Sequence, residues 1–422
     1  MPPDLKSRRD RLAKALPLGD AILVVGSGQP FPLPENSDQT YPFFSHAEYT
    51  YLTDDDCIDG VIAYDPRDGE WLSFVPAVTE GERVWEGTTQ RSGRPLTEFS
   101  PWLAARSGRP IANLGALRPD IPADVPLISH IRDAFRHARR PKDAEEVTML
   151  RAAAAATAAG YAAIPALLRP GITERALQIE LEAGFFRAGA TRTGYNTIVG
   201  TGPNSAILHF SPTARAAQTG EFVLIDAGAA IGRYTADVTR TYVVGTPSPF
   251  QRDLYQVVLA AEERAIARCV PGAEWTDIHL ACAVDLVAGL VAMNVMHGHP
   301  ESLVEAEAHT LFFPHGLGHM VGLGVRDASG LLPGRTKNPR PCLRTLRMDL
   351  PLAAGYVVTI EPGLYFIPPL LQDPARREKH RDAVNWPFVD QHLHLGGVRI
   401  EDNILITADG PENLTAAIPK TL

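Results

Sequence analysis

FVLIDAGAAIGRYTADVTRTYVVG, residues 222–245, places two aspartates where a folded chain can least accommodate them. Phe222 to Ile225 is a four-residue apolar run of the kind that forms a buried strand. Asp226 closes it, and Ala227 and Gly228 follow. Eleven residues on, Asp237 opens a second strand-like run, DVTRTYVVG. A turn through Gly228 to Gly232 would fold the two strands into a hairpin and bring both aspartates together. Further out, VVTIEPG (357–363) ends a third apolar strand at Glu361, against a Pro-Gly stop. In GGVRIEDNILIT (396–407), period-two alternation puts Val398, Ile400 and Asp402 on one face and Arg399, Glu401 and Asn403 on the other. Carboxylates ending core strands are costly to bury unless paired or bound to metal. These four have few obvious cationic partners.

PHGLGHMVGLG (314–324) adds His315 and His319. Its glycines 316, 318 and 322 argue against a regular helix, so it reads as a flexible loop that carries imidazoles towards a partner. Four carboxylates balance two divalent cations, and one histidine completes an oxygen-rich site. Two metals roughly 3.5–4 Å apart lower the pKa of a shared water and clamp an in-line attack. Oxygen-dominated ligation favours manganese, with cobalt or zinc next. Taken singly, a strand-ending Asp or a Glu before Pro-Gly is ordinarily a turn residue. Most of the thirteen histidines, His297, His299, His392 and His394 among them, read as surface or loop residues. GTGPN from Gly200 has no Walker lysine after it and is no nucleotide signal. The ordered set, D-x10-D, HGLGH, TIEPG, RIED, is what chance does not assemble.

The rest of the chain reads as an ordinary globular protein. Its 422 residues are 45% hydrophobic and 21% charged, enough for two or three domains with a large core. A formal charge of −9 with no basic block excludes nucleic acid as the expected partner. Cys57, Cys269, Cys282 and Cys342 show no C-x-x-C spacing, which excludes a cysteine zinc site and suits a reducing cytosol. The opening MPPDLKSRRDRLAKALPLGD has no apolar h-region, so no secretory signal is expected. Ala152 to Leu168 is uncharged but short, and is interrupted by Gly160 and Pro165. It reads as one buried helix and not a membrane span.

AILVVGS from Ala21 and DGVIAYDP from Asp59 read as strands of a smaller α/β domain over residues 1–140. The charged HARRPKDAEE (137–146) reads as a linker into a helix with an acidic first turn. Over 141–422, ITERALQIELEAGFFRAG from Ile172 and the stretch from Phe250 to Met296 read as helical. Strands come in groups, so the expected class is α+β.

These motifs resemble those of the pita-bread metallopeptidases: prolidases, aminopeptidases P and, more distantly, methionine aminopeptidases and creatinases. The resemblance implies a pita-bread catalytic domain over 141–422 and a creatinase-like amino-terminal domain over 1–140. Carried over by motif, it implies that Asp226 holds one metal, His319 and Glu361 the other, and that Asp237 and Glu401 bridge them. Glu361 would also shuttle the proton of the attacking water. His209, in ILHF, matches the histidine near the scissile bond and leaving prolyl nitrogen. His315 matches the one beside the substrate carbonyl, and Arg399 matches the arginine that helps hold the substrate carboxylate in prolidases. Where the family has V-H-D, this chain has V-R-D, so Arg326 either takes a donor role towards substrate or pairs with a nearby acid.

The long connection GLYFIPPLLQDPARREKHRDAVNWPFVDQHLHLGGVRIEDN resembles that of bacterial Xaa-Pro dipeptidases. The resemblance therefore implies a cytoplasmic prolidase with two Mn2+ ions, a homodimer acting on Xaa-Pro dipeptides. Aminopeptidase P, acting on longer peptides with proline second, is the alternative. A catalytically silent pita-bread binding domain is a third, opposed by the five intact ligand positions.

Overall fold

The computed structural model describes residues 4–35 and 39–422. The chain divides into two compact units, Met1–Arg139 and Arg140–Leu422. In the first, strands β1 (Ile22–Gly26), β2 (Val61–Asp65), β3 (Glu70–Val75), β4 (Arg94–Pro95) and β5 (Ile111–Gly115) form one mixed sheet in the order β4-β3-β2-β1-β5. Ile22, Val24, Val61, Ala63, Phe74 and Phe99 pack as its core.

The second unit opens with the helix Ala144–Tyr161. Asp143 starts it through a capping box. Its carboxylate accepts from Glu146 N at 3.0 Å while its own N–H donates to Glu146 at 3.1 Å. The expected continuous helix to Leu168 is instead broken: a separate turn, Ile164–Leu167, follows, with Pro165 in its first turn, where proline is tolerated. The stretch from Phe250 likewise resolves into two helices, Pro249–Ala267 and Trp275–Ala292.

Strands here are β6 (Arg192–Thr193), β7 (Ile198–Thr201), β8 (Phe222–Asp226), β9 (Ala229–Ile231), β10 (Tyr234–Thr235), β11 (Thr239–Val243), β12 (Gly330–Leu331), β13 (Met348–Asp349), β14 (Val357–Ile360), β15 (Gly363–Tyr365), β16 (Gly397–Arg399), β17 (Asp402–Thr407) and β18 (Gly410–Asn413). They form small sheets ordered β10-β9-β6, β11-β8-β7 and β14-β17-β18, with pairs β12-β13 and β15-β16. Helices 144–161 and 174–187 share a core with β7, β8 and β11. Helices 249–267 and 275–292 share a larger one with β14 and β17.

Three registers position the acids. β8 and β11 are antiparallel, with Asp226 opposite Thr239. β14 and β17 are antiparallel, with Ile360 opposite Asp402. An isolated bridge pairs Thr239 with Glu401 and joins the two sets. The expected hairpin is present with one difference: the chain inserts β9 and β10, turning at Gly232 and Arg233, before β11 begins. Asp237 therefore lies two residues ahead of β11 and not in it. Gly228 is required at this fold-back, because a Cβ there would lie 1.8 Å from Ala236 O.

The long connection between Glu361 and Glu401 folds as three short helices, Pro368–Leu371, Pro374–Lys379 and Trp386–His392. Leu371, Val384 and Val389 from it are buried in the larger core.

Candidate metal centre and active site

The HGLGH segment is not the flexible loop its glycines suggest. It runs antiparallel beside β14: Thr359 N donates to His319 O and Glu361 N to Leu317 O, both at 2.8 Å, and Val321 N to Val357 O at 3.1 Å. Gly318 permits this approach, since a Cβ there would sit 2.0 Å from Thr359 O. His319 is thereby fixed and 4% exposed. Its Nδ1 is 3.0 Å from Met320 O, so Nδ1 donates there and Nε2 faces the acids. Nε2 lies 3.4 Å from Asp237 and 3.8 Å from Glu361.

Asp237, His319 and Glu401 each offer a ligand atom within 4.8 Å of the others, and all three are buried. Thr239 donates to one Glu401 oxygen at 2.7 Å, while the other, Oε1, is buried without a hydrogen-bond partner. Asp226 has both oxygens engaged: Tyr195 donates to Oδ1 and Arg399 to Oδ2, each at 2.6 Å. Tyr161 donates at 2.7 Å to Val238 O, next to Asp237.

Crowding four carboxylates in a dry site raises their proton affinity. Burial, then the neighbouring Asp237, Glu361 and Asp226 charges, lifts the Glu401 pKa well above the usual range. Burial lifts Glu361 to about 7 and also raises Asp226, against the pull of Arg399. Burial is the largest influence on His319 and opposes its charged form, but the hydrogen bond to Asp237, the Asp237 and Glu361 charges and the contact with Met320 O together outweigh it, and its pKa rises. The orphaned Glu401 oxygen, the His319 Nε2 turned towards the acids and four carboxylates with Arg399 as their bonded cation form a donor set that fits divalent metal.

His315 is placed differently from its neighbour. Nδ1 lies 2.8 Å from Gly316 O, and Nε2 lies 2.8 Å from the Tyr365 hydroxyl. Arg399 donates to that hydroxyl at 2.9 Å. Burial holds the His315 pKa down to about 3, so the ring is neutral, with Nδ1 4.0 Å from Glu361. Arg399 is 3% exposed, and its donors go to Asp226, Tyr365 and Thr239. These bonds make it an orienter of Asp226.

These residues line a cavity of about 540 Å³, with exposed His209 on its wall. Arg326 lines it too, and forms no ion pair or hydrogen bond among the described residues, so the salt-bridge alternative is not what the fold adopts. Arg347, which the motifs did not mark, lines the same cavity, and its pKa is lowered by burial and then by the Arg326 charge. No described residue between Pro362 and Val398 lines the cavity. Tyr195, Tyr365 and Thr239 also escaped the sequence reading, because no spacing rule connects them to the acids they bond.

Residues 148–408 match the model of metallopeptidase family M24. The chain belongs to that family. A probable Xaa-Pro aminopeptidase of Tuber melanosporum is 29% identical over 409 residues, 94% of this chain and 89% of that protein. One from Sclerotinia sclerotiorum is 30% identical over 408 residues, 91% of this chain and 73% of its own length. Among solved structures, Pseudomonas aeruginosa aminopeptidase PepP superposes with a TM-score of 0.79 at 28% identity, covering 99% of this chain and 95% of that one. Aminopeptidase P from E. coli with the inhibitor Pro-Leu gives 0.79 at 25% identity over the same shares. The M24 chain is thus α+β, an amino-terminal α/β sheet domain followed by a pita-bread domain, and a metal-dependent peptidase by family. The relatives' names carry aminopeptidase P and not prolidase, so the dipeptidase expectation loses its lead. Much of the long connection on which it rested, Leu371, Val384 and Val389 among it, packs in the core, while its Tyr365 bonds His315 and Arg399.

Proposed function

We propose that this chain is an Xaa-Pro aminopeptidase, releasing the first residue of peptides whose second residue is proline. The observation that carries the reading is the buried Asp237–His319–Glu401 cluster with its orphaned carboxylate oxygen. Asp226, Asp237, His319, Glu361 and Glu401 would together hold two divalent ions. Manganese is favoured over cobalt or zinc by the oxygen-rich set. Bound there, the ions would polarise the scissile carbonyl and lower the pKa of the attacking water. Glu361, on the cavity wall and 3.8 Å from His319, would take that water's proton. His209 is free to reach the prolyl nitrogen, which has no N–H of its own. The Tyr365–Arg399–Asp226 chain would hold the ligand carboxylate in place, with His315 fixed at its end. A cytoplasmic homodimer is part of the same proposal.

One observation favours the narrower dipeptidase reading. Arg326 and Arg347 are two exposed guanidiniums on one cavity wall, suited to a carboxylate close to the cleaved bond. A joint digest of Leu-Pro and Leu-Pro-Ala with manganese decides between them. Release of leucine from Leu-Pro-Ala supports the aminopeptidase, whereas cleavage of Leu-Pro alone overturns it in favour of the dipeptidase.

A further inference from the structure

The strand carrying Glu401 has a second face, and that face is tied to the end of the chain. Asp402 points away from the acid cluster and is fully buried. Its oxygens accept from Arg240, Thr415, Asn413 and Lys420, each at 2.7 Å. Lys420 also reaches both oxygens of buried Glu262 at 2.9 Å. Two buried acids, Asp402 and Glu262, are thus balanced by two cations, Arg240 and Lys420. Only Lys420 touches both acids.

Arg240 connects this network to the backbone of the site. One amino group donates to Glu401 O at 2.8 Å and Thr239 O at 2.9 Å. The other bonds Ile418 O at 2.8 Å, and Nε bonds Pro419 O at 3.1 Å. The same tail governs the second bridging acid. Asn403 N donates to Thr415 Oγ1 at 3.1 Å, and the Asn403 amide spans Asp237, accepting from its N at 2.9 Å and donating to its O at 2.5 Å. Ile418 anchors the segment in the core with β8 and β11. Besides the pairing of β17 with β14 and of Glu401 with Thr239, the segment Glu401-Asp402-Asn403 is thus held by residues 413–420 and by the Arg240 they enclose.

We propose that the carboxy-terminal strap, Asn413 to Lys420, positions the Asp237–Glu401 pair, and that Lys420 sets metal affinity without touching metal or substrate. The inference rests on the metal-centre reading above. Groups behind the ligands that fix ligand orientation typically change metal affinity by about 10–100-fold when removed. Without Lys420, Asp402 and Glu262 share one cation, and Arg240 is drawn between Asp402 and its backbone acceptors. The Glu401 carbonyl then loses a fixed partner.

The test is calorimetric titration of Mn2+ into chelator-stripped full-length protein, with thermal unfolding in parallel. Lys420→Met is expected to weaken binding at least tenfold. Lys420→Arg, or Glu262→Gln added to Lys420→Met to restore charge balance, is expected to recover most of it. Ile128→Ala, in the other unit, serves as a variant that loses stability without loss of affinity. Wild-type affinity in Lys420→Met, or a loss that neither rescue reverses, overturns the proposal. Absence of Mn2+ binding by the wild type would instead refute the metal-centre reading, so the two failures are distinct.

Discussion

Glu401 carries a stability cost that metal would relieve, and Glu401→Gln exposes it. In the metal-free protein, Glu401 lies with its ligand atom within 4.8 Å of the Asp237 carboxylate, 2% exposed and with one oxygen unpartnered. Two unit charges at that distance repel by about 3.5 kcal/mol at an effective dielectric near 20. The acid can escape by protonating, since burial and its neighbours raise its pKa well above the usual range. Protonating a glutamate of ordinary pKa at pH 7 costs about 3.7 kcal/mol, so either route sets a ceiling near 3–4 kcal/mol. Replacing it with neutral glutamine is therefore expected to stabilise the stripped protein by up to about 3 kcal/mol at pH 7. The sign of the pH dependence follows. A carboxyl with a raised folded pKa binds more protons folded than unfolded, so wild-type stability without metal rises as pH falls from 7 towards the unfolded value near 4.3. The Gln variant lacks that gain. With Mn2+ the order reverses, because only the wild type gains binding energy. Urea unfolding of both proteins in EDTA and in Mn2+, at pH 7 and 5, measures these stabilities. A Gln variant less stable than wild type in EDTA at pH 7 would refute the reasoning.

On the dipeptidase reading, Arg326→Ala with Arg347→Ala raises KM for Leu-Pro at least tenfold, about 1.4 kcal/mol or more, and leaves the KM for Leu-Pro-amide nearly unchanged. Equal effects on both substrates would exclude a carboxylate receptor. His279 and His309 are buried without partners at either ring nitrogen, and burial holds their pKa values to about 3 and about 4. Unfolding lets each take up a proton below about pH 6.5, so each should contribute about 2 kcal/mol of stability lost between pH 7 and 5. The His279→Leu/His309→Leu variant should show that much less acid sensitivity in denaturant titrations, and an unchanged slope would contradict the burial argument. Gly318→Ala forces a Cβ to 2.0 Å from Thr359 O, so it should cost about 3 kcal/mol or more and lower Mn2+ affinity. Wild-type Tm and affinity in that variant would show that the loop beside β14 can yield.

Much of the centre was legible because the acids break local rules. A charged residue ending an apolar run is visible without coordinates, and period two assigned Arg399, Glu401 and Asn403 to one face and Asp402 to the other. The structure keeps that division, with Asn403 on Asp237 and Asp402 on Arg240. Backbone detail was less legible. The inserted β9 and β10 shift Asp237 out of its strand, and the glycines of HGLGH mark close approach to β14 where local reading suggested mobility.

Sequence by itself determined the α+β class, the ordered acid and histidine set and the metal chemistry that set implies, because hydrophobic runs and the cost of burying charge are local properties. Only the tertiary structure decided which partners complete the site. Tyr195 and Arg399 meet at Asp226 across 31 and 173 residues, and Lys420 reaches Glu262 across 158. Nor could spacing reveal that Phe366, Leu371, Val384 and Val389 join the core while Arg347 lines the cavity. Such contacts come from sheet register and packing between distant segments, and no pattern along the chain encodes them one residue at a time.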